Sequence, residues 1–464
     1  MSVADEYKAV VIGSGQGGNP LCKALAQAGM RTALVEREHV GGTCVNEGCT
    51  PTKTMVASGR VAYLARRAAD YGVQTGKIRI DMTRIRHRKR DIVDSFRNGS
   101  QASLEKTQNL DLIFGEATFT GPKSVAVHLK DGTQRTLRAE QIFINAGCRP
   151  AVPQVDGLKD MQYLNSTSIM ELDSVPEHLL VLGGGYVGLE FGQMFHRFGS
   201  RVSIVHRGDR LLSGEDSDVA EEIAALLRQD GIDIFLNTRA ESVTKAGSQI
   251  VLTAREKAGT IRELQGSHLL VATGRVPNVE ALNLSAAGIA TNASGFIKVN
   301  YKLETSAPGV YALGDINGGP AFTHISYDDF RILRTNLIDK GTATTESRPL
   351  PYTIYIDPQL GRIGITEARA REQNKNIRVA KMPMSSVARA LEVDETRGFM
   401  KAVVDADTNQ ILGAAVLGIE GGEIMSMLQL AMMGKIPFTI LRDAIFAHPT
   451  LAESLNNLFT RFAS

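Results

Sequence analysis

The sequence predicts an α/β fold: two doubly wound, Rossmann-like dinucleotide-binding domains followed by a C-terminal α+β domain. Three observations carry this. Near the N-terminus, YKAVVIGSGQGGNPLCKALAQAGMRTALVER reads as an apolar strand, a glycine turn, an amphipathic helix and a second strand. From His178, HLLVLGGGYVGLEFGQMFHRFGSRVSIVHR repeats that plan. From about Leu350 the chain mixes strands (FMKAVVDADTNQILGAAVLG) with a long apolar helix (GEIMSMLQLAMMG) and shows no nucleotide motif.

Between these landmarks a helical tract is expected from Thr52 to Asp70, and a polar helix from Met82 to about Lys106. DLIFGEATF and SVAVHL alternate as strands of a small sheet laid beside the first domain. The proline-flanked ESRPLPYT marks a domain boundary. The basic run Arg84–Arg90 (RIRHRKR) has no interleaved aromatics and reads as the solvated face of a helix, not a nucleic-acid contact.

A chain of 464 residues is too long for one core. Its 52 Lys and Arg against 50 acids leave no global field to recruit nucleic acid or an anionic membrane. The N-terminus runs into a strand without the marks of a signal peptide, and no apolar run is long enough to span a bilayer. The expected compartment is the cytoplasm, where a permanent disulfide is rare.

The turn Gly13-Ser14-Gly15-Gln16-Gly17-Gly18 follows a strand and opens a helix, the context in which G-x-G-x-x-G seats a pyrophosphate. Gly13 serves the tight turn, Gly15 lets the backbone approach the phosphates, and Gly18 packs helix on strand. Glu36 ends the second strand roughly 20 residues later, where an acid holds a ribose hydroxyl. Gly183, Gly185 and Gly188 form the second copy, with Tyr186 inside it. Its second strand ends in Val205-His206-Arg207, with Arg210 beyond. Since an acid there would repel a 2′-phosphate, the basic cluster predicts NADPH over NADH. Two such folds call for two dinucleotides, one a bound flavin and one a diffusing nicotinamide.

Only four cysteines are present. Cys22 lies on the first helix and Cys148 beside a glycine; both read as small packing residues, and neither completes a metal site with the other two. Cys44 and Cys49 lie five positions apart in GGTCVNEGCTPTK, just before a helix start and near Lys53, a setting that favours a thiolate. They read as a redox couple.

GGTCVNEGCTPTK closely resembles the redox loop of the class I pyridine nucleotide-disulfide oxidoreductases. The resemblance continues through INAGCRP, VATGRVPN, YALGDINGG and HPTLAESL and covers nearly the whole chain. It implies FAD, bound tightly by the first glycine unit with Glu36, Thr43, the backbone of Gly115 and Ala117, Gly147, Gly314 and Asp315. Cys49 would lie against the flavin and Cys44 would be the outer interchange thiol. Lys53 and Glu190 would sit at the reactive edge of the flavin. Tyr186 would cover the nicotinamide pocket, and Gly274 would line that nucleotide's path. His448, held by Glu453, would manage the interchange thiol's proton in the active site of a second subunit, making the protein a homodimer with shared sites.

The same resemblance suggests residues 1–150 and 277–345 as the FAD-binding and central region, 151–276 as the NAD(P)-binding domain, and 346–464 as the dimerisation domain. Glu47 inside the redox loop, Thr50 in place of an aliphatic residue, and Cys148 in place of the usual serine depart from the pattern. The leading expectation is an NAD(P)H oxidoreductase that passes electrons through Cys44–Cys49 to a disulfide or another small oxidant. A metal-ion reductase for Hg(II) or Cu(II) is the alternative, because GCTPTKTMV, FTHISYDDFRI and DETRGFMKAV resemble that branch. Against Hg(II) stand His448, where mercuric reductases carry tyrosine, and the ending LFTRFAS without paired cysteines. A flavin-binding redox sensor or electron carrier is the reading from another class. No resident metal is expected.

Overall fold

A computed structural model describes residues 4–462. The chain divides into two compact units. The first comprises the residues up to Thr54, Arg84–Ala151 and Gly274–Arg348. The second comprises Met55–Thr83, Val152–Thr273 and the chain from Pro349.

In the first unit, Asp5–Ile12 lies between Thr32–Glu36 and Gln134–Ile144, both parallel to it. Val310–Ala312 extends the sheet beyond Gln134–Ile144, and Leu110–Gly121 extends it beyond Thr32–Glu36, again in parallel. Such strands are covered on both faces, which is why VVI and ALV are continuous apolar runs. DLIFGEATF and SVAVHL do not form a separate sheet. Leu110–Gly121 is long enough to serve two partners: Leu110–Phe114 pairs with Thr32–Glu36, and from Gly115 onward it pairs antiparallel with Ser124–Leu129. The expected side sheet is therefore a meander of the main one.

The second unit repeats the strand–turn–helix plan with His178–Leu182, Tyr186–Phe198 and Arg201–Val205. Its parallel sheet runs in the order His268–Val271, His178–Leu182, Arg201–Val205, Asp233–Phe235. Beside it stands an antiparallel sheet of Thr238–Ala246, Gln249–Glu256 and Ile261–Gly266, which the sequence reading missed. The alternation in QIVLTARE was its only local signal. From Pro349 onward come a five-stranded antiparallel sheet and the Gly421–Met433 helix. That helix leaves Leu430 and Met433 exposed, and Ile440 and Ile445 beyond it are exposed as well.

Two helical expectations shift slightly. The first helix after the redox loop runs Cys49–Arg66, and Ala68–Tyr71 is a separate 3₁₀ turn. The helix therefore starts on a cysteine; Pro51 falls in the first turn, where its missing N–H costs no helical hydrogen bond. The polar helix runs Met82–Glu105. Its basic stretch is largely exposed, but Lys89 is buried and Arg88 donates to the Thr54 carbonyl. The solvated-face reading holds for only part of the run.

Within the second unit, one buried cation joins the nucleotide fold to the C-terminal sheet. Lys401 Nζ lies 2.7 Å from Glu367, 3.0 Å from Asp218 and 3.2 Å from Asp216. Burial alone would raise the Asp216 carboxyl, yet the amides of Ala368 and Glu367 together with Lys401 hold it below the usual carboxylate range. Asp218 and Glu367 are lowered likewise, against their own burial, by hydrogen bonds to Lys401 and to neighbouring cations. Groups with depressed pKa contribute stability that is present above their unfolded pKa and is lost as pH falls through the folded one. Lys401→Met should therefore destabilise the protein by about 3 kcal/mol near neutrality. The difference from wild type should shrink as pH falls below about 4. Urea unfolding at several pH values measures both; a pH-independent difference would rule out the ionic clamp.

Candidate active site

The first glycine turn is fixed by a close backbone crossing. Gly13 has φ +98°, and a Cβ there would come within 2.5 Å of the Asn145 carbonyl, so no other residue fits without moving the strand end. A second glycine pair folds over this turn: a Cβ on Gly42 (φ +61°) would lie 2.7 Å from the Gly15 Cα. Glu36 faces the same turn, its Oε2 accepting the Ser14 N–H at 3.0 Å and the Ser14 hydroxyl at 2.6 Å. Thr43 is exposed beside it. Gly115 and Ala117 lie where their strand leaves the Glu36 strand for its antiparallel partner. The structure thus brings the glycine turn, Glu36 and the Gly115 region to one end of the sheet.

Asn145 was not singled out by the sequence, yet it ties these loops together. Its Oδ1 accepts the Gly18 N–H at 2.9 Å, and its Nδ2 donates to the Leu313 carbonyl at 2.7 Å. It lies between Ile144 and the Gly147 turn (φ +65°), in the INAGCRP motif already quoted. On its far side Gly314 (φ +74°) donates its N–H to the buried carboxylate of Asp329 at 2.8 Å. This turn presents Asp315 half-buried, with the Arg275 Nε 4.0 Å away. Burial pushes the Asp315 carboxyl above the usual range, and Arg275 only partly opposes that, so the group gains from hydroxyl donors. Cys148 donates to the Asp315 carbonyl at 3.3 Å. Its thiol is pushed up to about 12 by burial and then by the Asp315 charge, as Cys22 is by burial, so both are inert packing residues.

The glycine cradle, the acid at the end of the second strand and the donor-poor carboxylate on the third loop fit a flavin dinucleotide, with its pyrophosphate at the Gly18–Gln27 helix start.

Cys44 lies in the short Gly42–Asn46 helix, and Cys49 is the first residue of Cys49–Arg66. Cys44 is hydrogen-bonded to Cys49, and that bond, then burial and then the Cys49 charge, raises the Cys44 thiol; Thr323 and Lys53 oppose the rise. Asn46 holds the loop between them. Its Nδ2 donates to the Val40 and Gly42 carbonyls at 3.1 and 3.0 Å, and its Oδ1 accepts from Arg97 at 2.7 Å. Neither Asn46 nor Arg97 was legible as a site residue, because Arg97 lies 51 positions away.

In the second unit Gly183 (φ +119°) repeats the crossing, here against the Ala272 carbonyl at 2.3 Å from a built Cβ. Gly185 and Tyr186 open the helix that carries Gly188 and the buried Glu190, whose Oε1 accepts the Tyr355 N–H at 2.8 Å. His206 is not a surface cation. Its Nδ1 accepts the Gly184 N–H at 3.1 Å, and burial, then Arg207, push the imidazole toward neutrality. The positive charge predicted there rests on exposed Arg207 and half-buried Arg210. Gly274 (φ +126°) belongs to the first unit and accepts the Ala151 N–H at 2.9 Å. His448 is exposed, and its Nδ1 lies 3.0 Å from the Glu453 carboxylate.

Comparison with known proteins identifies the family. Residues 7–329 match the family model described as pyridine nucleotide-disulphide oxidoreductase, and residues 350–459 match the dimerisation domain of the same family. The chain is 38% identical over 460 residues to the probable pyridine nucleotide-disulfide oxidoreductase RclA of Escherichia coli K12, covering 98% of this chain and 99% of that one. It is 34% identical to the mercuric reductase of Acidithiobacillus ferrooxidans, covering 98% and 83% of the two chains. It is 30% identical to the dihydrolipoyl dehydrogenase of Bacillus subtilis, covering 98% and 97%. The solved Cu(II) complex of the HOCl-induced flavoprotein disulfide reductase RclA from E. coli superposes with a TM-score of 0.90 at 38% identity, covering 98% and 99%. Among the described residues no helix is long and apolar enough to cross a membrane. The chain belongs to the pyridine nucleotide-disulfide oxidoreductases, a flavoprotein family of α/β enzymes that pair a flavin with a pyridine nucleotide and a redox-active cysteine couple.

Proposed function

We propose that this enzyme moves two electrons from NAD(P)H, by way of FAD, to the Cys44–Cys49 couple and from there to a small oxidant. One observation carries the reading: two hydrogen-bonded thiols at a helix start, in the unit that also holds the glycine cradle, Glu36 and Asp315. When bound, FAD would supply the two-electron step between nicotinamide and disulfide. The chain's own residues bind, orient and manage protons. Gly13, Gly15 and Gly18 take the pyrophosphate, with Thr43, Gly147 and Gly314 lining the same cradle; Glu36 takes a ribose, the Gly115 and Ala117 backbone the adenine, and Asp315 the ribityl hydroxyls. Gly183, Gly185, Gly188 and Arg207 take the second dinucleotide, NADPH in preference to NADH, and Tyr186 covers its nicotinamide; Gly274 lines the approach. Lys53 and Glu190 keep the place beside the flavin that the family resemblance gives them. Residues 1–150 with 277–345, 151–276 and 346–464 are the corresponding FAD-binding, NAD(P)-binding and dimerisation regions.

A second reading names the oxidant as a metal cation. The E. coli relative is described as a Cu(II) complex, and here the exposed Glu47 stands in the segment that joins the two cysteines. A negative charge on the loop that carries the cysteines disfavours anionic disulfides and favours cations.

The purified protein should carry FAD, and two-electron reduction should produce long-wavelength absorbance from a thiolate beside it. Cys49→Ser should abolish that band, while Cys44→Ser should keep it. Mixing the reduced enzyme with Cu(II) and with glutathione disulfide by stopped flow ranks the acceptors; faster reoxidation by the disulfide would reject the cation reading. Protein that neither retains nor takes up flavin would reject the assignment as a whole.

Arg207→Ala should lower the NADPH-to-NADH ratio of kcat/KM by about tenfold, the worth of one charge-assisted contact. An unchanged ratio would remove Arg207 from cofactor selection.

His448 is exposed and Glu453 half-buried, in the same C-terminal part of the chain as the exposed Leu430, Met433, Ile440 and Ile445, apolar groups fit for a second copy. We expect a homodimer in which each site takes Cys44 from one chain and His448 from the other. Mixing Cys44→Ser with His448→Ala under subunit exchange should restore about half the activity per hybrid dimer. Verified exchange without recovery would mean that each site is built from one chain.

A further inference from the structure

The helix Thr323–Leu337 begins on a threonine whose Oγ1 lies 3.3 Å from Cys49 Sγ. The same hydroxyl is hydrogen-bonded to Cys44. One side chain, 274 positions from Cys49 in sequence, therefore reaches both sulfurs of the couple. Thr323 begins its own helix as Cys49 begins Cys49–Arg66, so two helix N-termini, each with partial positive charge, contribute to the surroundings of the sulfurs. A threonine hydroxyl has one proton to give and lone pairs to receive, so it donates to whichever sulfur is negative.

Opening the disulfide consumes two electrons and one proton: the S–S bond breaks, one sulfur becomes a thiolate and the other a thiol. On the function proposed above, the nicotinamide is oxidised, supplying both electrons and the proton. We propose that Thr323 decides which sulfur keeps the charge: its hydroxyl donates to the Cys49 thiolate, while Cys44 retains its proton, donates it to the same sulfur and remains the exchanging thiol. With two donors on one sulfur, Cys49 is the stable home of the charge. Lys53, on the Cys49 helix, and the Thr323 hydroxyl each ease the Cys44 thiol downward, but they oppose only part of the rise set by Cys49 and by burial, so Cys44 is the sulfur that keeps its proton; Glu47 stands in the connection between the cysteines, and on the function proposed above His448 of the second copy is the acid-base group facing Cys44. The hydrogen bond to Cys49 raises the Cys44 thiol, the direction this division requires.

The test is the pH dependence of iodoacetamide alkylation of the reduced holoenzyme, with Cys44 and Cys49 resolved by peptide mass mapping. Thr323→Val keeps the shape and removes the donor; Thr323→Ser keeps the donor. The Val variant should leave about tenfold less Cys49 thiolate on the acid side of its titration, a shift of about one pH unit. The Ser variant should track the wild type, and the long-wavelength absorbance should follow the same pH shift. A Val profile that superimposes on wild type, with flavin content and Tm intact, would overturn the proposal. If the Val variant loses its flavin, Thr323→Ala replaces it: Ala shifted and Ser unshifted supports the proposal, while Ala and Ser behaving alike overturns it. Wild-type protein lacking a reducible Cys44–Cys49 couple would overturn the underlying function, and this proposal with it.

Discussion

The side-chain amide of Asn145 is the contact on which the first unit's binding end depends. It is buried, and it spends its acceptor on the Gly18 N–H and a donor on the Leu313 carbonyl. Those two bonds join three chain segments that the parallel sheet delivers to one edge: the glycine turn after Asp5–Ile12, the INAGCRP turn after Gln134–Ile144, and the Gly314 turn after Val310–Ala312. Gly13 and Gly15 are glycines because Asn145 is so close; a Cβ on Gly15 would lie 2.6 Å from its Oδ1. The tightness of the glycine motif and the identity of residue 145 are a single constraint.

The redox loop is held by similar means. Two cysteines five positions apart would sample many separations in a floppy loop. Here Cys44 sits in a one-turn helix, Cys49 opens a long one, and Asn46 pins the link between them to the Val40 and Gly42 carbonyls and to Arg97. Gly42 in turn rests on Gly15. The loop that carries the thiols and the loop that fits a pyrophosphate are therefore in van der Waals contact.

The second unit uses the same strand–turn–helix plan but stabilises it differently. His206 stands where an acid commonly ends the second strand, and it faces inward to accept the Gly184 N–H, so the imidazole supports the turn and leaves the exposed charge to Arg207. Away from the binding end, buried ions organise the packing. Asp357, nearly buried, is gripped by Arg197 and Arg60, and its amide donates to Gln193; Lys401 gathers three carboxylates. Removing one partner of such a set leaves an uncompensated charge, which is why these contacts fix one arrangement of strands and helices.

What the sequence determined by itself was local. The spacing of the glycines, the run of each strand into its helix, the pair Cys44–Cys49, the order of five motifs and the break at ESRPLPYT are all features of short segments, and the boundary between the units at Arg348 and Pro349 falls inside that break. Periodicity reports which face of an element is apolar, and motif spacing reports a turn. Neither reports which distant segment will lie against it. Asn145 to Gly18, Thr323 to Cys49, Arg97 to Asn46 and Lys401 to Asp218 are separated by 51 to 274 positions. They meet only because parallel strands bring the ends of remote loops to one edge and buried charges must find partners wherever the packing places them. The same logic turned His206 inward and folded the side strands into the main sheet: both depend on what the neighbouring chain offers, and only the tertiary structure contains that.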